Sequence, residues 1–177
     1  MYRRSNGFVQ KIYFGWTMRV ILQRVHDAKL TSGDFSSQIG LGVLAFVGVN
    51  ANDTIFDIKY LARKIVNMRL FRDADDKTNL SVLDVKGEIM LVSNFSLQAD
   101  TRRGLRPDFI NAAKGDFALD YYQKLIAEVE KYGIKVATGR FGHHMDIQTN
   151  LFGPFTLILE SEGRTNEWNF GKIILFV

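Results

Sequence analysis

The chain has 177 residues, no cysteine, two prolines and a formal net charge of +4. That length suits one domain with one sizeable core, the missing cysteine excludes disulfides, thiolate metal sites and a cysteine nucleophile, and no apolar stretch approaches the ~20 residues that cross a bilayer. Residues 1–17 carry +3 and residues 164–177 carry +1, so 18–163 is neutral, which argues against broad wrapping of duplex DNA, where affinity comes from many phosphate contacts. A soluble, cytoplasmic protein with no membrane or DNA partner is expected.

Residues 1–17, MYRRSNGFVQKIYFGWT, are basic, acid-free and aromatic, and they precede a methionine, Met18, that reads as an internal start. They are expected to lie outside the core as upstream or non-native sequence. A basic organelle-targeting extension is the alternative, although such segments are usually richer in serine. MRVILQRV (18–25) alternates and is β-branched, which predicts a strand. SQIGLGVLAFVGV (37–49) contains a continuous apolar run, as in a strand buried on both faces. NDT (52–54) then opens a helix, with Asp53 as its expected N-cap and Ile55, Ile58, Leu61, Ala62, Ile65 and Met68 at helical spacing. DADDKTNL reads as a polar turn and GEIMLVSNFSL (87–97) as a strong strand. ADTRRGLRPDF is a loop punctuated by Gly104 and Pro107. DFALDYYQKLIAEVEKYG (116–133) is an amphipathic helix ending at Gly133. IKVATG, HMDIQTN and FTLILES predict three short final strands. The tail RTNEWNFGKIILFV departs from the style of the core and reads as an extra strand or as non-native sequence. With no repeat or linker, the domain boundaries fall at 1–17, 18–163 and 164–177. The fold class is α/β (α+β), mostly antiparallel strands with two amphipathic helices.

Few residues offer ordinary enzyme chemistry. There is no glycine-rich phosphate loop, HExxH or GxSxG, and nothing supplies a strong general base. His143 and His144 are adjacent, and neighbouring residues on a strand point to opposite faces, so a shared metal ion is disfavoured and two polar residues at a turn is the plainer reading. No metal and no cofactor is expected. Two small-polar clusters remain: Ser93, Asn94 and Ser96 directly after the buried IMLV strand, and Thr156 after the Gly153-Pro154 pair that interrupts an apolar run. Each alone fits a hydrogen-bonding strand end. Arg102, Arg103 and Arg106 follow the serine cluster as a compact basic group, suited either to phosphates or simply to solvent.

MRVILQRV, LARKIVNMRLF, NLSVLDVKGEIMLVSNFSLQADTRRGLRPDF, VATGRFGHHMDI and GPFTLILES, taken together and in order, resemble the D-aminoacyl-tRNA deacylase family. The resemblance runs from Met18 to about Gly163. It implies a homodimer on a small β-barrel-like fold that hydrolyses the ester joining a D-amino acid, or mischarged glycine, to the 3′-terminal adenosine of tRNA. The family's two motifs are Ser-Gln-x-x-Leu and Asn-x-Gly-Pro-x-Thr. The first is matched by Ser93-Asn94-Phe95-Ser96-Leu97, with asparagine in place of glutamine. The second is matched by Leu151-Phe152-Gly153-Pro154-Phe155-Thr156, with leucine in place of asparagine.

The resemblance further implies that the 2′-hydroxyl of the terminal ribose assists hydrolysis while the protein positions the substrate. Ser93, Asn94, Phe95 and Thr156 would form the catalytic surroundings, backbone amides near Phe95 and Thr156 stabilising the oxyanion. Thr156 has no visible activating partner and is assigned a positioning role. The Gly153-Pro154 peptide would be cis and reach into the partner's active site, excluding L side chains. Arg24 matches the residue that orients it, Phe141 and Met145 match residues near the adenosine, and Arg102, Arg103 and Arg106 are the expected tRNA contacts. Because Asn94 and Leu151 depart from the motifs, a weakened protein that binds tRNA acceptor ends without cleavage is the alternative. A threonine-dependent hydrolase is a third reading.

Overall fold

The computed structural model describes residues 17–161. The expectations for residues 1–16 and for the tail fall outside them. Eight strands and two helices follow one another: β1 (Arg19–Ser32), β2 (Phe35–Ile39), β3 (Gly42–Gly48), α1 (Ile55–Asn67), β4 (Phe71–Arg72), β5 (Thr78–Leu80), β6 (Glu88–Ser93), a 3-10 turn (Phe95–Gln98), α2 (Gly115–Glu130), β7 (Val136–Thr138) and β8 (Asp146–Glu160). The main sheet runs β2-β1-β3-β6-β7, and β8 pairs with β1. Because Arg19–Gln23 pair with both β3 and β8, and Ala28–Thr31 with both β2 and β8, β8 occupies one whole edge of β1 while β3 and β2 share the other. The hydroxyl of Ser37 on β2 donates to the Thr138 carbonyl at the end of β7, 2.8 Å away. That contact brings the sheet nearly round on itself.

Each face of the sheet has its own core, which is why β3 is an unbroken apolar run. Val43, Ala45 and Val47 face the helices with Val20, Leu22, Ile89 and Leu91, against Ile58, Leu61 and Ile65 of α1 and Tyr122, Leu125 and Val129 of α2. Leu44 faces the other way, into a cluster of Val25, Ala28, Leu30, Ile39, Met90 and Val92. Both helices are amphipathic as their spacing demands. No helix among the described residues is long and apolar enough to cross a membrane.

Several expectations are corrected. The strand read at 18–25 continues to Ser32, since Ala28, Leu30 and Ser32 keep alternating inward between the polar residues Asp27, Lys29 and Thr31. The run 37–49 is two strands joined by a turn at Gly40 and Leu41. Thr54, not Asp53, is the N-cap of α1: its N–H and hydroxyl both donate to Asp57 Oδ2 at 2.7 Å. Asp53 instead accepts from the backbone N–H groups of Met18 (2.7 Å) and Asn50 (2.6 Å), tying the start of β1 to the start of α1. HMDIQTN and FTLILES are one long strand, β8, that carries the Gly-Pro pair inside it. Antiparallel pairings dominate, but β3, β6 and β7 run parallel.

Candidate functional site

Two parts of the chain gather the singled-out residues. The first is a pocket of about 640 Å³ at the end of β6, lined by Ser93, Asn94 and Phe95, by Phe46, Val49 and Val92 beneath, by Ala113, Gly115 and Ala118 at the start of α2, and by Phe141 to Met145 with Ile147 across the mouth. It sits there because β6 ends at Ser93 and the chain turns at once. The Asn94 N–H donates to the Val47 carbonyl at 2.7 Å, and Asn94 then caps the 3-10 turn by accepting from the Ser96 N–H and hydroxyl. Gln98, fully buried, locks that turn down by donating to the Gly48 carbonyl at 2.7 Å and the Thr17 carbonyl at 3.0 Å. The approach is close: a Cβ at Gly48 would come within 2.8 Å of Leu97 Cβ. Glycine is required for the turn to seat.

The pocket therefore unites Ser93, Asn94, Phe95, Phe141 and Met145. Its lining holds no carboxylate, lysine or arginine. The titratable groups on it are His143 and His144, which sequence reasoning set aside as turn residues. His143 Nδ1 lies 2.9 Å from the Phe141 carbonyl, and since a carbonyl only accepts, the proton sits on Nδ1. Phe46, Ala118 and Ile147 were also missed; as apolar residues in regular elements, nothing local separates them from core. Among the described residues no group of three or more metal-ligating side chains comes together.

The basic loop lies nearby. Its two ends are joined by backbone bonds between Asp100 and Asp108, at 2.7 and 2.9 Å, and Phe109 at its base packs edge-on against Phe95, ring centres 5.0 Å apart. Arg102, Arg103 and Arg106 are all exposed. Arg102 is committed to Asp100, its Nε donating at 2.9 Å beside a second contact from Nη2. That pair holds the Asp100 carboxyl down to about 2, the Arg102 hydrogen bonds being the main cause.

The second part is the kink in β8. Gln23 pairs with Thr156 and Val25 with Leu151, so the single residue Arg24 stands opposite four, Phe152 to Phe155, which leave the ladder. The Gly153-Pro154 peptide is cis. Arg24 is buried and fills the gap: its Nε donates to the Phe152 carbonyl at 2.8 Å, its Nη1 donates to the Leu70 carbonyl, and its guanidinium lies 4.3 Å from the Phe152 ring centre and 5.0 Å from that of Phe155. Burial, and then the charge of Arg72, lower its pKa. Gly153 has φ +141°, a region L side chains rarely adopt, and a Cβ there would sit 2.8 Å from the Phe155 nitrogen and 3.0 Å from Arg24 Nη2. Thr156 is exposed, its hydroxyl 3.5 Å from Gln23 Nε2. Neither the Gly-Pro pair nor Thr156 nor Arg24 lines the pocket of the same chain.

A family model described as D-Tyr-tRNA(Tyr) deacylase matches residues 21–160. A D-aminoacyl-tRNA deacylase of Staphylococcus epidermidis is 46% identical over 157 residues, covering 89% of this chain and all of that protein. One from Bacillus velezensis is 47% identical over 146 residues, covering 82% and 99%. Among solved structures, the c-Myc DNA Unwinding Element Binding Protein superposes with a TM-score of 0.75 at 33% identity, over 80% of this chain and 97% of that one. A structure titled as a probable eukaryotic D-amino acid tRNA deacylase gives 0.73 at 16% identity, over 81% and 98%, a likeness of fold.

Proposed function

The chain belongs to the D-Tyr-tRNA(Tyr) deacylase family, and from that premise we propose that it hydrolyses the ester joining a D-amino acid to the 3′-terminal adenosine of tRNA. The observation that carries this reading is the pocket beside Ser93, Asn94 and Phe95: large enough for a terminal nucleoside and its amino acid, largely apolar, and lined by no carboxylate, lysine or arginine. Such a site accelerates reaction chiefly by holding reactants in place. The ribose 2′-hydroxyl assists the hydrolysis, and the backbone amide of Phe95 faces the developing oxyanion. Ser93 and Asn94 shape the floor, and Phe141 and Met145 flank the adenosine. A 2′-hydroxyl also distinguishes RNA from DNA.

Gly153 and Pro154 act as the specificity element, oriented by Arg24. Because this segment lies outside the pocket of its own chain, it works in a homodimer, entering the partner's pocket, where its backbone takes the space an L side chain would need. Thr156 follows the segment on β8 and positions it. Arg103 and Arg106, exposed on the loop beside Phe95, meet the acceptor-end phosphates.

The test is release of D-tyrosine from D-Tyr-tRNA with L-Tyr-tRNA as control, repeated with tRNA ending in 2′-deoxyadenosine. D-selective release that falls at least a hundredfold on the deoxy substrate is expected. Binding to acceptor ends without cleavage would instead support the weakened binding protein that Asn94 and Leu151 raise, and complete loss of turnover in Thr156→Ala would restore the threonine hydrolase.

A further inference from the structure

Leu151 leaves the Gly-Pro segment without the polar side chain that the motif places before it, yet the segment is held on both sides by this chain's own residues. Arg24 and His26 flank Val25 on β1, where the ladder shifts register on both sides, and both reach Phe152 on β8. Phe152 lies between the two. Its ring stacks on the His26 imidazole with centres 4.1 Å apart and planes 19° from parallel, while the Arg24 guanidinium lies 4.3 Å from its centre. Arg24 also donates to the Phe152 carbonyl at 2.8 Å, so side chain and backbone of one residue are both gripped immediately before Gly153.

We propose that His26 and Phe152 are positioning residues that set the selectivity of this chain, an imidazole–phenyl–guanidinium stack holding Gly153-Pro154 in a chain whose motif has Leu151 in place of asparagine. This rests on the reading of Gly153-Pro154 as the specificity element. An offset stack and a cation over a ring face are both attractive and both directional, so together they fix the azimuth of Phe152 and, through the backbone that follows directly, the place of the Gly153 carbonyl. A displacement of about 1 Å at a positioning group can cost about a hundredfold. Phe152 is the middle layer of the clamp.

The experiment compares kcat/KM on D-Tyr-tRNA and L-Tyr-tRNA for the full chain and for His26→Ala, Phe152→Leu, Phe152→Tyr and Gly153→Ala, with melting curves to confirm folding. His26→Ala and Phe152→Leu are expected to lower the D-over-L ratio at least tenfold, while Phe152→Tyr, which keeps the ring, holds it within threefold. If both leave the ratio unchanged while Gly153→Ala lowers it, the clamp is overturned and the specificity element stands. If Gly153→Ala leaves the ratio unchanged as well, or if the unaltered chain does not discriminate, both fall. Should Phe152→Leu not fold, the exposed His26 decides the matter alone.

Discussion

Arg24 is 6% exposed, and its partners are backbone carbonyls and aromatic rings, with no carboxylate paired to it among the described residues. A buried guanidinium held this way does what a strand partner would have done, satisfying a carbonyl that the four-residue excursion of β8 takes off the ladder. Arg24→Ala leaves the Phe152 and Leu70 carbonyls without that donor and opens a void, so we expect a loss of about 2–4 kcal/mol in urea denaturation. Arg24→Lys recovers little, because an ammonium lacks the planar fork that reaches two carbonyls and lies over two rings. The sequence singled out Arg24 only through resemblance. Its spacing in QRV is that of any strand residue, and its partners are 46 and 128 positions away.

At the scale of elements, α1 and α2 were legible, because helical periodicity is local and the apolar stripe is written into each segment, although α2 ends at Glu130 and leaves the stretch to Gly133 as a turn. The cap of α1 was misplaced by one because Asp53 and Thr54 are both good caps and only the fold shows which is taken for another purpose. Asp53 bridges β1 and α1, and burial pushes its carboxyl up to about 7 against the pull of two backbone N–H groups, with Asp57 adding to the rise. A carboxyl raised in the folded state binds its proton more tightly there than in the unfolded chain. Stability therefore falls as pH climbs from about 4 to 7 and levels off above, by at most about 4 kcal/mol. The lowered carboxyls, Asp73, Asp84, Glu88 and Asp100, act below that window. A melting temperature that drops between pH 5 and 8, with the drop absent in Asp53→Asn, is expected. The arginine loop is a separate element, closed at its base and carrying exposed charge on a neutral body. Replacing Arg103 and Arg106 by alanine should raise KM for D-Tyr-tRNA about tenfold at low salt and reduce the log–log salt slope by about 1.4, with kcat little changed.

At the scale of the molecule, β8 pairs with β1 on one side and shows apolar residues, Leu151 at 43% and Ile158 at 66% exposure, on the strand that carries the Gly-Pro pair. Residues of this kind along a sheet edge suit a second copy of the chain, as the proposed homodimer requires. Sedimentation should give the mass of two chains, and Ile158→Asp should give that of one, with D-Tyr-tRNA hydrolysis down at least tenfold because each pocket loses its partner's segment. An Ile158→Asp chain that stays dimeric would move the interface elsewhere. The parallel pairing of β3, β6 and β7 was not legible: a strand's apolar run states that both faces are buried, and is silent about which strand lies beside it or in which direction.

Local sequence determined the two helices, the buried strands β3 and β6, the loop breaks and the absence of any strong general base, because these follow from periodicity, turn chemistry and residue type within short windows. Its ordered motifs also carried the family. Only the tertiary structure decided that Ser93, Phe141 and Met145 share a pocket, that Asn94 spends its side-chain oxygen on Ser96, and that β8 carries Gly153-Pro154 in a four-residue excursion from its ladder with β1, with Arg24 in the gap. Those are contacts between residues far apart in the chain, fixed by strand register and by which buried polar groups find partners. The stack of His26, Phe152 and Arg24 is of the same kind: three unremarkable letters that acquire a common purpose when β1 and β8 are laid side by side.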